Sequence, residues 1–272
     1  MSAHPLPHSA RAFTETPLFA GLARAGYAAR GVIYALIGLL AFRLAQGTGV
    51  TRPSQQGAMQ KIAHQPFGHT LLILTAIGLG GYAIWRFTQA FVGRTPEYGE
   101  HSTMDRIGAV GSGLAYAAFC VLAISVLRGT AGNSSAKTKQ TTAGVLHWPA
   151  GRELVAAAGV LFLAIAAYQA YLGLSKKFLS YSKTSEMSPS VFKAFKAIGT
   201  GGLVARAGAF ALIGVFVLKA AIDYSPKDAV GIDGALARLL QHSYGTPALI
   251  VVACGLIAFG AYSLADARYR KI

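Results

Sequence analysis

Long stretches without a charged side chain dominate this chain. Between Arg106 and Arg128 lie 21 uncharged residues, between Glu153 and Lys176 lie 22, between Lys61 and Arg86 lie 24, and between Arg238 and Asp266 lie 27. As α-helices rising 1.5 Å per residue, all four are long enough to cross a hydrocarbon layer about 30 Å thick. Two further runs, between Arg30 and Arg43 and between Arg206 and Lys219, have only 12 uncharged residues each. Both have apolar flanks, and the bounding cations can snorkel in opposite directions, which lengthens the usable span. The pattern therefore predicts six transmembrane helices near 25–46, 67–92, 107–128, 153–174, 201–222 and 247–266. No apolar run alternates with period two, which argues against a β-barrel. The predicted fold class is an all-α integral membrane protein.

The chain also repeats itself. With an offset of 176, residues 24–46 and 200–222 share eight ungapped identities, among them Gly26/Gly202, Arg30/Arg206 and Gly38/Gly214. A weaker middle copy at an offset of 82 matches Arg24, Gly26, Gly31, Tyr34 and Ala35 with Arg106, Gly108, Gly113, Tyr116 and Ala117. The second helices align at their entry through Gly68, Gly151 and Gly245, and Trp85, Tyr168 and Tyr262 each fall 17 residues later. GAMQKI at 57–62 matches GALARL at 234–239. The unit is a two-helix hairpin used three times, at about 21–95, 103–178 and 196–272, after a flexible cytoplasmic tail at 1–20. Two crossings per unit return the chain to its starting side, so the hairpins share one orientation. They are expected to be related by a pseudo-threefold axis along the membrane normal.

The three hairpins, the segment GYAARGVIYALIG at 26–38 and the C-terminal FGAYSLADARYRKI resemble the bacterial membrane family called domain of unknown function 1206. The resemblance covers nearly everything after about residue 20. It implies a multi-pass bacterial membrane protein and no particular activity. The middle copy departs from the pattern, because Ser112 stands where the other copies have an arginine.

Composition adds orientation. There are 25 Lys and Arg against 10 Asp and Glu, a net charge of +15. Beside six apolar runs these cations read as topology signals and contacts to anionic lipid head groups rather than to nucleic acid. Fifteen of the 25 fall on the side holding both termini, which places the termini in the cytoplasm and the protein in the bacterial cytoplasmic membrane. SPSVFKAFKAIG at 188–199 reads as an interfacial helix beginning at Ser188 and Pro189. Residues 1–18 lack the apolar core of a signal peptide. Cys120 and Cys254 both lie in apolar runs, which makes a disulfide framework unexpected.

Catalytic motifs are missing: the chain has no H-E-x-x-H, C-x-x-C, P-loop or G-x-S-x-G. Acids reach the spans only at their ends, as Glu153 and Asp266, which argues against proton-coupled transport and acid–base catalysis. The protein is expected to be no enzyme and to need no cofactor, with a structural or interaction role. The alternative is binding or passage of a small anionic or lipidic ligand in a central crevice between the hairpins. Its candidate contacts are Arg30 and Arg206, at one repeat position inside their helices, together with Arg24 and Arg106. For Arg30 and Arg206 two readings stand side by side: guanidinium groups snorkelling to the interface, or a pair facing the bundle centre and holding an anion. His64, His147 and His242 share one membrane face. Their unequal loops and the scarcity of acids nearby predict that they hold no metal.

Overall fold

The computed structural model describes residues 17–48, 53–92, 94–95, 99–100, 103–132 and 134–271. The first sixteen residues, most of the expected tail, lie outside the described residues. Six helices carry the apolar runs: α1 (Pro17–Ala45), α3 (Gly68–Val92), α4 (Thr103–Leu127), α6 (Gly151–Leu174), α7 (Pro189–Ile222) and α9 (Gly245–Tyr269). Each is long and apolar enough to cross a membrane. Three shorter helices, α2 (Gln55–Ala63), α5 (Ser134–Leu146) and α8 (Ile232–Leu239), join the two long helices of each hairpin. A two-residue antiparallel pairing, β1 (Arg94–Thr95) with β2 (Gly99–Glu100), lies between α3 and α4.

The short helices give the repeat a third element, of which the matched GAMQKI and GALARL are the sequence trace. The entry glycines have a steric reason. A Cβ on Gly68, Gly151 or Gly245 would run into the last carbonyls of the preceding short helix, at Ile62, Val145 and Leu239 respectively. Just before two of them the chain makes a left-handed turn, with φ of 60° at Phe67 and 59° at Ala150.

One expected element is different. The stretch 188–199 is not a separate interfacial helix but the first turns of α7, which runs unbroken for 34 residues. The helix runs on through Gly199, Gly201 and Gly202, of which Gly199 packs against Phe178 and Gly202 against the Phe259 backbone. Phe195 is buried against Phe178 and Tyr262, with ring centroids 6.2 and 5.1 Å away. Packing against the 3₁₀ turn Lys177–Tyr181 and α9 thus holds this segment in line with the rest of α7.

The first helix of each hairpin packs most extensively on the second helix of the preceding hairpin, taken cyclically: α1 on α9, α4 on α3, α7 on α6. These three seams are the pseudo-threefold arrangement. They are spaced alike: Gly38 lies against the Ala253 backbone in the first seam, and Gly214 against Gly159 in the third. In the second seam the equivalent pair is Cys120 and Ala76, where the thiol donates to the Ala76 carbonyl at 3.3 Å. Small residues let the helices approach closely, which stabilises helix pairs where the hydrophobic effect is weak. Within the hairpins α1 packs on α3 and α7 on α9, but among the described residues α4 and α6 do not line each other. The ring of helices is open on that side. Ile107, Leu114 and Val121, spaced by seven on α4, are exposed apolar side chains suited to lipid.

Candidate functional site

The three seams carry three guanidinium groups at equivalent depth, in three states of compensation. In the α1–α9 seam Arg30 is buried. Its Nε donates to Ser263 Oγ at 3.1 Å, and its Nη2 lies 3.8 Å from Asp266 Oδ2. Tyr27 and Phe259 present ring faces to it at 4.6 and 5.3 Å. Asp266 is fully buried and is shared with Arg270, whose Nη1 is 3.3 Å away, while Ser182 Oγ donates to it at 3.0 Å. Arg30 therefore does not snorkel, and its charge is balanced inside the chain. A buried carboxylate, which the apolar runs themselves do not contain, is present after all at the C-terminal end of α9.

In the α4–α3 seam the arginine has changed helices. Arg86 on α3 donates through Nε to Ser112 Oγ on α4, and through Nη1 to Gln89 Oε1 at 2.8 Å. Arg86 stands 18 residues after Gly68, as Ser263 stands 18 after Gly245; Gln89 and Asp266 each stand 21 after the same glycines. The Arg–Ser bond of the first seam is thus made again with the arginine and the serine exchanged between the first and second helices. This explains why Ser112 replaces the expected arginine in the middle copy: the cation comes from the facing helix. The equivalence is testable by exchange. Ser112→Arg alone crowds two cations together, and Arg86→Ser alone removes the cation. The double variant should recover stability, with a coupling of about 1–3 kcal/mol in thermal unfolding in detergent; simple addition of the two losses would refute the equivalence.

In the α7–α6 seam the pattern is incomplete. Arg206 is half-buried, and the two equivalent positions on α6 are Gln169 and Leu172. Gln169 is buried, and among the described residues its Oε1 has no hydrogen-bond partner. The Leu172 side chain can accept no hydrogen bond. Arg206 turns toward the centre, where Nε donates to Tyr34 Oη on α1 at 3.1 Å. Tyr34, Phe210 and Phe259 surround the guanidinium at 4.8–5.0 Å. Among the described residues its terminal nitrogens have no hydrogen-bond acceptor.

Arg206 lines a cavity of about 240 Å³. Phe119 of α4, Phe162 of α6, and Phe210, Ile213 and Val217 of α7 form its apolar walls, and residues of α2, α5 and α8 close the end away from the termini. A second, more open hollow of about 340 Å³ shares Thr138 with it and is lined by Gln56, Lys137, Thr141 and Thr142. Of the four candidate arginines, Arg206 alone lines the cavity. Arg30 is closed within its seam, while Arg24 and Arg106 are exposed on α1 and α4. His64 and His147 are exposed and bond carbonyls of their own short helices, Gln60 at 2.7 Å and Ala143 at 2.6 Å; His242 stacks on Tyr244. Among the described residues no three His, Cys, Asp or Glu come together as metal ligands.

Six lipid-suited helices in three equivalent hairpins, with an arginine at each repeated seam, define a multi-pass membrane protein of internally repeated architecture. The chain belongs to the family described as Domain of Unknown Function (DUF1206), whose family model matches residues 25–93, 107–176 and 201–270. It is 34% identical over 251 residues to the Bacillus subtilis (strain 168) protein called "Uncharacterized protein YxxB", covering 92% of this chain and 90% of that one. No solved structure matches it.

Proposed function

We propose that this protein is a non-catalytic component of the bacterial cytoplasmic membrane that binds a small anionic or lipidic ligand in the cavity between its hairpins. The observation that carries this reading is the state of Arg206: a half-buried cation beside an apolar cavity, with no acceptor for its terminal nitrogens. Exposing a guanidinium to a low-dielectric space is costly unless an anion compensates it. Arg30, at the same repeat position, shows the compensated state, with Asp266 as its partner. A centre packed solid would instead have supported a purely structural role. Native mass spectrometry of protein released from detergent tests the proposal. An anionic adduct should accompany the wild-type chain, disappear in Arg206→Gln and persist in Arg24→Gln. Equal adducts in all three would refute it.

The excess of basic residues on the side of the termini supports a cytoplasmic placement of both. A reporter fused to the C-terminus should then behave as cytoplasmic, and one inserted near Gly132 as external. Opposite signals would reverse the orientation.

A further inference from the structure

We infer that the ligand at Arg206 is a single-chain lipid anion with a carboxylate head, a free fatty acid in its simplest form, taken from the bilayer through the gap between α4 and α6. The inference rests on the reading above and adds the head group, the chain and the route.

The head group follows from the pseudosymmetry. At two of the three nodes an oxygen at one repeat position of the second helix faces the guanidinium: Asp266 forms an ion pair with Arg30 at 3.8 Å, and Gln89 accepts a hydrogen bond from Arg86. At the third node that position is Leu172, and Arg206 is turned inward with its terminal nitrogens unmatched. The protein itself pairs the first of these cations with a carboxylate, and the planar fork of a guanidinium fits a carboxylate with two parallel bonds. A ligand carboxylate would complete the third node as Asp266 completes the first.

The chain follows from the shape. Arg206 marks one end of the cavity and Val217 lies eleven residues further along the same face of α7, about 17 Å at the helical rise. Between them the wall is aromatic and aliphatic, with Phe162 and Phe210 stacked at 6.1 Å. A cavity with apolar walls running along α7 and one cation at its end, with Gln55 and Thr138 among its other lining residues, suits a linear amphiphile. Its 240 Å³ lies below the roughly 300–1,000 Å³ of drug-sized sites, which favours one acyl chain over the two of a phospholipid.

The route follows from the open ring. Phe119 and Phe162, both half-buried, stand on the two helices that do not line each other. That side of the slot faces the acyl layer, so a lipid-dissolved ligand enters sideways without crossing water.

Photolabelling tests the inference on the full-length protein in phosphatidylcholine nanodiscs, with palmitate carrying a diazirine near its methyl end. Peptides from α6 and α7 should be labelled. Excess palmitate should compete at least tenfold better than its methyl ester, which lacks the charge. Labelling should fall at least tenfold in Arg206→Gln, and likewise in Leu172→Asp, which keeps the arginine but supplies an internal carboxylate. Arg24→Gln should label normally. Equal competition by the ester, or wild-type labelling in both Arg206→Gln and Leu172→Asp, overturns the inference. If palmitate does not label, acetate and inorganic phosphate separate the two claims through protection of Arg206 from phenylglyoxal. Protection would leave the anion-binding reading standing and refute the lipid chain and route; no protection by either anion would refute both.

Discussion

Asp266→Ala should destabilise the protein by about 3–5 kcal/mol, the loss expected when one partner of a buried ion pair is removed and the other remains. Asp266 is fully buried and holds three partners: Arg30, Arg270 and Ser182. Its removal leaves Arg30 without a counter-charge between Tyr27 and Phe259. It also loosens the turn before α7, because Ser182 anchors that turn to α9, where Lys183 N–H donates to the Tyr269 carbonyl at 2.7 Å. Asp266→Asn keeps the shape and an acceptor for Ser182 and should cost less than alanine. Arg30→Met with Asp266→Leu should recover part of the loss, since it removes the Arg30 charge from the seam, while the ion pair of Arg270 with Asp266 stays lost. Unfolding midpoints in detergent measure all three. A loss below about 1 kcal/mol in Asp266→Ala would mean that water or lipid already compensates Arg30.

Gly260→Val should be nearly as damaging, at about 2–3 kcal/mol or more, because it forces apart the α1–α9 seam. A Cβ at Gly260 would stand 2.7 Å from both the Ala35 amide nitrogen and the Gly31 carbonyl oxygen. Both are backbone atoms of α1, so neither can swing aside as a side-chain tip could. Separating the helices would also pull Asp266 away from Arg30. Gly208 is the control: a Cβ there meets nothing within 4 Å. Gly208→Ala should therefore be neutral or stabilise α7 by up to about 1 kcal/mol, the difference in helix propensity. Equal effects of the two substitutions would show that glycine content, rather than close approach, governs this family of helices.

The six spans could be read from the residues because uncharged length is a local property, and helix boundaries near 25–46 and 107–128 agree with α1 and α4 to within a few residues except at the start of α1. The hairpin repeat could be read for the same reason: an alignment needs no contacts. The stretch 188–199 is not a separate helix but continues into α7, because its packing depends on Phe178 and Tyr262, which are distant in sequence. The arginine nodes were half visible. The alignment that matches Trp85, Tyr168 and Tyr262 also holds Arg86, Gln169 and Ser263 one residue later, and Gln89, Leu172 and Asp266 three after that. What it could not say is that each first helix faces the second helix of the preceding hairpin. That pairing alone makes Arg30 and Asp266 neighbours across 236 positions and lets Arg86 stand in for the missing arginine of copy two.

The residues by themselves determined the membrane class, the threefold repeat and the side that gathers positive charge, because each depends on composition and periodicity along the chain. Only the tertiary structure decided which arginine is satisfied and which is not. Arg30 and Arg206 share a repeat position, yet one meets a carboxylate and the other an apolar cavity. Charge compensation in a low-dielectric interior depends on what the facing helix carries within a few ångströms. In the third seam that facing residue is Leu172.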